Sequence, residues 1–351
     1  MNLLALISLL LSLSAAPVEK TATGAAACTY ETGAGRETTD NQRIVTEFGA
    51  IPNDLLDDTD AINRAIAAMP HGGVLLFPAG EYRISSLTLP GGLIFRGEGP
   101  NQISRQTAGI RKGTVLIAAP GMAGTAIHIP SSEKTGGLEE LSLYLDAAAE
   151  AGMLLSVSGS VKLKNVEVAG MLRSQATGIH FRNAGSCELD NVSAGFRLRF
   201  GMVLDNGRSL RVTGGKLSGW DIALLINSQE KRKEYLSFEQ TGFHRPFDAD
   251  AEVIAAPAEQ ALTGMGNQPA HFLKLIDIRQ GQHILFQQCH FSGEEPDEEQ
   301  RPELPPGIIT NAIVVKEPVQ DVAFRQCSWE NVYLSDLSKR VEAAPGPAGS
   351  H

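Results

Sequence analysis

Apolar residues along this chain alternate in short bursts, then break phase, and the break recurs. In "KLKNVEV" (162–168) Leu163 stands two before an Asn, with Val166 just after it and Val168 two further on. "ELDNVSA" (188–194) repeats the phrase 26 residues later. Aligned on the apolar residue two before the Asn, the phrase runs through Leu138, Leu163, Leu189, Val212, Phe238, Phe286 and Phe324, at spacings of 25, 26, 23, 26, 48 and 38 residues. The Asn position itself holds Glu140, Asn165, Asn191, Gly214, Gln240, Gln288 and Gln326. Alternation on either side of it predicts two short strands. An Asn tolerates the left-handed backbone, so it can turn a sharp corner between them. A third apolar strand lies upstream of each phrase, opened by Gly or a small turn former: "GMLLSV" (152), "GIHFRN" (178), "GMVLDN" (201) and "DIALLI" (221).

Three strands in roughly 24 residues are too few to bury a core alone, so successive units must stack. The predicted fold is all-β: a right-handed three-sheet parallel β-helix, each coil ~4.8 Å above the last. Before the first coil, "DDTDAINRAIAAM" (57–69) reads as an amphipathic helix, with Ala61, Ile62, Ala65, Ile66 and Met69 on one face and acids in its first turn. It is expected to cap the open end of the solenoid and cover its unpaired edge. The two long spacings predict loops at 244–271 and 292–307, both beside the glycine-opened sheet.

Composition adds bounds. The chain has 351 residues, of which 42% are hydrophobic and 6% aromatic; a solenoid accommodates that length without a second core. The net charge of −10 argues against a nucleic-acid partner. "NLLALISLLLSLSAAP" (2–17) is too short to span a membrane comfortably and reads as a secretory signal, with cleavage after Ala16 or Ala27. The expected organisation is signal peptide and leader at 1–27, flexible leader at 28–43, one β-helix domain at 44–338, and a disordered tail at 339–351. The mature chain has no transmembrane segment, and the expected location is secreted or periplasmic. Cys289 and Cys327 share a register position in consecutive coils, as two stacked thiols or a disulfide. Monomer and trimer both fit.

The stretch 46–99 carries a more specific signal. Phe48-Gly49-Ala50, Asp57-Asp58-Thr59, Ala61-Ile62, Ala65-Ile66, Gly73, Phe77-Pro78-Ala79-Gly80, Tyr82 and Arg96-Gly97-Glu98-Gly99 resemble the opening of the pectate-lyase-like superfamily, in the branch of rhamnogalacturonase- and epimerase-related proteins. The resemblance implies a parallel β-helix, often secreted and often acting on polysaccharide. It does not imply one reaction, because members include lyases, hydrolases, epimerases and depolymerases. The Asn-Thr-Asp, Asp-Asp, Gly-His-Gly and Arg-Ile-Lys series of polygalacturonases has no counterpart in this chain. Neither has the Asp-Pro-His motif of alginate epimerases, nor the Asp-rich calcium run of pectate lyases.

The resemblance also implies that the glycine-opened sheet and its loops carry the substrate groove. Alternation points Ile127, Ile129, Met153, Leu155, Ile179, Phe181, Met202, Leu204, Ile222 and Leu224 inward. His128, Ser156, Arg182 and Asp205 are then expected in one outward column, with His180 beside Arg182. Residues 160–216 hold nine Lys or Arg against four Asp or Glu, a balance of +5. Arg173, Arg197 and Arg199 fall in loops entering the glycine-opened strands, and His244 opens on the same side. Such a basic patch on an acidic chain suits an anionic polysaccharide. The expected catalytic set is His180, Arg182 and Asp205; the expected substrate-binding set is His128, Arg173, Arg197, Arg199 and His244. In a lyase or epimerase, Arg182 with Arg199 neutralises a uronate carboxylate and His180 takes the proton. A glycoside hydrolase needs two facing carboxylates, and a non-catalytic glycan-binding protein needs none. No metal-ligand set or cofactor motif is evident in the mapped column; the acidic loop 292–307 is a candidate for Ca²⁺.

Overall fold

The computed structural model describes residues 41–100, 113–119, 124–146, 152–228, 235–246, 254–255, 271–294, 308–336 and 341–343. All belong to one unit of the chain, Thr39–His351. The expected signal peptide, most of the leader, most of the loops at 244–271 and 292–307, and residues 344–351 lie outside the described residues, and with them the candidate Ca²⁺ loop. Among the described residues no His, Cys, Asp or Glu cluster could hold a metal ion, and no helix is long and apolar enough to cross a membrane.

The strands form three parallel ladders. Sheet A, entered before the Asn corner, stacks Phe95 on Leu138, Leu138 on Leu163, Val212 on Phe238, Phe238 on Phe286 and Phe286 on Phe324. Sheet B, after the corner, stacks Leu143 on Val168, Leu217 on Phe243, Phe243 on Phe291 and Phe291 on Trp329. Sheet C, opened by the glycines, stacks Ile127 on Leu155, Leu155 on Ile179, Met202 on Leu224, Leu224 on Ile276 and Ile276 on Ile313. The architecture is the right-handed three-sheet parallel β-helix read from the repeat. Its one antiparallel pairing among the described strands is Ile254–Ala255 against His271 and Phe272, inside the first long spacing.

All seven corner positions have left-handed backbone, with φ from 49° at Asn165 to 67° at Gly214. Their side chains bond up the stack: Asn165 Nδ2 donates to Glu140 Oε1 (2.6 Å), Asn191 Nδ2 to Asn165 Oδ1 (2.7 Å), and Gln288 Nε2 to Gln326 Oε1 (3.2 Å). A second corner, where sheet C leaves toward sheet A, uses Asn183 and Asn206 in the same way (φ 50° and 62°), with a 3.1 Å bond between them. Inside, like residues stack on like. Phe286 and Phe324 lie 4.8 Å apart between ring centres and Phe291 and Trp329 4.7 Å, at the spacing of the coils.

The capping helix, α1, spans Thr59–Ala67, shorter than the predicted 57–69 at both ends. Asp57 and Asp58 precede the helix: Asp57 Oδ1 accepts from the N–H of Thr59 at the helix start (2.8 Å), and Asp58, the N-cap residue, turns its Oδ1 to the Ile51 N–H at 2.9 Å. Ala61, Ile62, Ala65 and Met69 are buried and belong to the same core cluster as the coils. The solenoid is slightly longer than expected. Gln42–Ile44 already pairs with sheet A, and Val341–Ala343 pairs with Val322, Ala323 and Phe324, inside the stretch expected as a tail. Cys289 and Cys327 stack as expected, both as free thiols.

Candidate functional site

Sheet C corrects the expected column. His128 stacks beside Ser156 as expected, but Leu155 pairs with Ile179, so His180 takes the place opposite Ser156 that was expected for Arg182. His128, Ser156 and His180 form one outward column, while Arg182 and Asp205 stand one outward position further along their strands. The slip is two residues. Because strand side chains alternate with period two, a two-residue slip leaves inward and outward faces unchanged and only shifts neighbours. Met153 sits at the strand mouth, opposite Thr125 and Thr177, and is only half-buried.

The slip does not separate His180 from Asp205. His180 Nε2 lies 2.7 Å from Asp205 Oδ2, and Asp205 Oδ1 accepts from Asn227 Nδ2 at 3.2 Å. An ionised carboxylate only accepts, so the proton is on Nε2. The other ring nitrogen, Nδ1, faces the Met153 sulfur at 3.0 Å. Burial pushes the His180 pKa below its ordinary value; the Asp205 bond opposes that and Arg182 adds to it. The imidazole is therefore neutral near pH 7 and 8% exposed, with Nε2 bonded to Asp205 and Nδ1 covered by the Met153 sulfur. Arg182 is exposed, and His128 is half-buried at the head of its column.

The loop residues gather elsewhere. A cavity of about 370 Å³, within the usual range for ligand sites, is lined by Arg173, Arg197 and His244. Its floor is the outward face of sheet B, not sheet C. Glu167, Ser193 and Lys216 supply one outward column, with Lys216 directly opposite Ser193. Ser218 and His244 supply the next. Trp220, Phe196 and Glu294 complete the wall. His128, His180, Arg182, Asp205 and Arg199 do not line it.

Arg173, Trp220, Arg197 and His244 are each held by a definite contact. The Arg173 guanidinium lies 4.3 Å above the Trp220 ring, and Trp220 Nε1 donates to the Ser174 carbonyl at 2.9 Å. Arg197 has left-handed backbone (φ 60°), lies 5.0 Å from the Phe196 ring and donates to the Met171 carbonyl. Arg199 turns back to Asp221 (Nε to Oδ2, 2.8 Å), which explains its absence from the cavity. His244 Nδ1 meets Ser292 Oγ at 3.1 Å, and its Nε2 lies 3.5 Å from Glu294 Oε1. Burial lowers the His244 pKa, and the Lys216 charge lowers it further. Glu167 is buried at the floor and accepts a hydrogen bond from the hydroxyl of Tyr144, itself fully buried in the preceding coil.

Glu167, Lys216 and Trp220 were not anticipated as site residues. The alternation that places Val166 and Val168 inside also places Glu167 outside, so its orientation was readable. That sheet B carries the cavity floor was not.

The family model described as rhamnogalacturonase A/epimerase, pectate lyase-like, matches residues 42–210. No curated protein matches the chain. Similar solved structures include the ORF18 protein of Geobacillus virus E2, at 16% identity over 82% of this chain with a TM-score of 0.48; the match spans 53% of that protein's length. The A-module of the Azotobacter vinelandii mannuronan C-5 epimerase AlgE6 matches at 15% identity over 87% of this chain and 100% of its own, with a TM-score of 0.36. PfbA, a surface adhesin of Streptococcus pneumoniae, matches at 11% identity over 88% of this chain and 96% of its own, with a TM-score of 0.36.

Proposed function

This chain belongs to the pectate-lyase-like superfamily, and on that premise we propose that it binds an acidic, uronate-containing polysaccharide in the cavity over sheet B and acts on it as a lyase or epimerase. One observation carries the reading. Arg173, Arg197, Lys216 and His244 come from four different coils of a chain with net charge −10, yet they line one cavity with a buried carboxylate, Glu167, at its floor. The cations suit the uronate carboxylate, and Trp220 and Phe196 offer apolar faces to a sugar ring.

The chemistry follows from charge placement. Neutralising the carboxylate acidifies the hydrogen on the neighbouring carbon. Glu167 takes that proton. In a lyase the C–H electron pair becomes the C4–C5 double bond, the C4–O bond breaks, and the leaving oxygen takes a proton from Lys216. In an epimerase Lys216 gives its proton to the opposite face of the same carbon instead of to the leaving oxygen. His180 is a weaker seat for this base than the sequence implied, because it does not line the cavity and the Met153 sulfur covers its Nδ1. Its pairing with Asp205 suits a positioning role. Polymers of this class are met outside the cytoplasm, which accords with a secreted or periplasmic protein.

A second reading, a glycoside hydrolase, is favoured by one feature: Glu167 and Glu294 line the same cavity. Incubation with polygalacturonate, alginate and a neutral glucan distinguishes the readings. A lyase generates the ultraviolet band of an unsaturated uronate. New reducing ends without that band indicate the hydrolase, and binding without either product indicates a non-catalytic glycan-binding protein. Absence of both binding and products from every acidic polymer would overturn the proposal.

A further inference from the structure

Beyond the cavity, the outward face of sheet C carries a charge cluster that the proposed reaction does not use. Asp277 is fully buried in the outward column, opposite Leu225 of one neighbouring coil and Val314 of the other. Its Oδ2 accepts from Lys274 Nζ at 2.6 Å and from Arg279 Nε at 3.0 Å. Its Oδ1 accepts no hydrogen bond and has Lys316 Nζ at 3.8 Å. Lys274 is 3% exposed, so Lys274 and Asp277 already form a neutral, buried pair. Arg279 and Lys316 are surplus to it, at 45% and 38% side-chain exposure. Three cations around one carboxylate leave +2.

The surplus is concentrated. The Lys316 backbone N–H donates to the Ile278 carbonyl at 2.9 Å, which sets Lys316 beside Arg279 in the adjacent coil. Like charges side by side on neighbouring strands repel. Among the described residues neither cation has an acid other than Asp277 within ion-pair distance. The guanidinium nitrogens beyond Nε and the Lys316 ammonium therefore keep donors for another partner. Asp277 is the counter-ion the two share: its Oδ2 accepts from Arg279, and Lys316 Nζ lies 3.8 Å from its Oδ1.

We infer that Arg279 and Lys316 form a second anion-binding subsite on sheet C, whose ligand is a carboxylate of the acidic glycan chain. The choice of glycan rests on the proposed function; the choice of an anion does not. Two adjacent cations held by one shared counter-ion bind an oxyanion by charge-assisted hydrogen bonds and lose their mutual repulsion when it binds. This makes a signature that an ordinary structural ion pair would not show. Removing either surplus cation should leave the free protein as stable as before or more so, while weakening the ligand.

The test compares the wild-type protein with Arg279→Gln, Lys316→Gln and the cavity variant Lys216→Gln. Trigalacturonate and inorganic phosphate are titrated by calorimetry at fixed ionic strength, and melting is followed without ligand. Arg279→Gln and Lys316→Gln should melt no lower than wild type and bind trigalacturonate about tenfold or more weakly. In the Lys216→Gln background, adding Arg279→Gln should weaken trigalacturonate binding further, again by about tenfold. Phosphate binding that depends on Arg279, without any trigalacturonate binding, would keep the subsite but overturn the glycan as its ligand. Wild-type affinity for both probes in both sheet C variants, or lower melting temperatures with unchanged affinity, would show a structural ion cluster and overturn the inference, as would absence of binding by either probe.

Discussion

At His180 the Nε2–H is committed to Asp205, Nδ1 faces the Met153 sulfur, and the ring is buried. The pKa of this residue and of His244 is lowered from the ordinary 6.5, mainly by burial. In the unfolded chain both rings regain the ordinary value, so on acidification the unfolded state takes up protons first. Their contribution to stability is complete above about 6.5 and is lost as pH falls through the depressed folded values. Urea denaturation at pH 7.5 and 5.5 should therefore show a loss on acidification that is smaller in His180→Gln; an equal loss would place the titrating group elsewhere. Glu167 is tested by turnover. Glu167→Gln should cut the rate by about 10²- to 10⁴-fold while leaving polygalacturonate affinity within about threefold, if Glu167 moves the proton. An unchanged rate would move the base elsewhere. The contrast between these residues shows what single positions reveal. Asp205 could be brought to His180 from stacking distance alone, since a diagonal neighbour survives a two-residue slip. Glu167 was hidden by its surroundings: an outward Glu on a strand looks the same whether it faces water or the floor of a cavity.

Corners and registers belong to the next scale. Asn165 has φ 49°, donates to Glu140 Oε1 and accepts from Asn191 Nδ2. Asn165→Val loses both bonds and forces a β-branched residue into left-handed backbone. It should cost about 2–4 kcal/mol by chemical denaturation; a change below about 0.5 kcal/mol would mean that the corner does not depend on its side chain. Corners were legible because left-handed tolerance is a property of residue type, and seven positions in phase leave little freedom. The strands of sheets A and B were legible for a related reason, since the corner fixes their register on both sides. Sheet C has no such pin at its entrance. Its glycines are followed by apolar residues at every second place, so Ile179 and Phe181 were equally good partners for Leu155, and only the stacking chose Ile179. The helix boundary failed differently: Asp57 and Asp58 fit a first turn by charge, but they stand before it, Asp57 bonding the Thr59 N–H at the helix start and Asp58 holding the Ile51 N–H.

For the whole molecule, stacking converts sequence distance into closeness. Arg173, Arg197, Lys216 and His244 are separated by tens of residues and meet because their coils lie ~4.8 Å apart. The basic balance of residues 160–216 was visible as composition, and three of the expected loop residues do line the cavity. What composition did not carry is the side of the solenoid on which they meet; that depends on how the loops fold back over sheet B. The reading makes electrostatic attraction to a polyanion the first event at the site. The most direct measurement is the affinity of wild type and Lys216→Gln for polygalacturonate and for its methyl-esterified, uncharged counterpart, each at 50 mM and 300 mM salt, approximate concentrations that bracket effective screening. Binding of the charged polymer alone, weakening with salt and falling about tenfold in Lys216→Gln, is the result predicted. Equal affinity for the charged and uncharged polymers, or no effect of the Lys216 substitution, would contradict the assignment of this cavity to an acidic glycan.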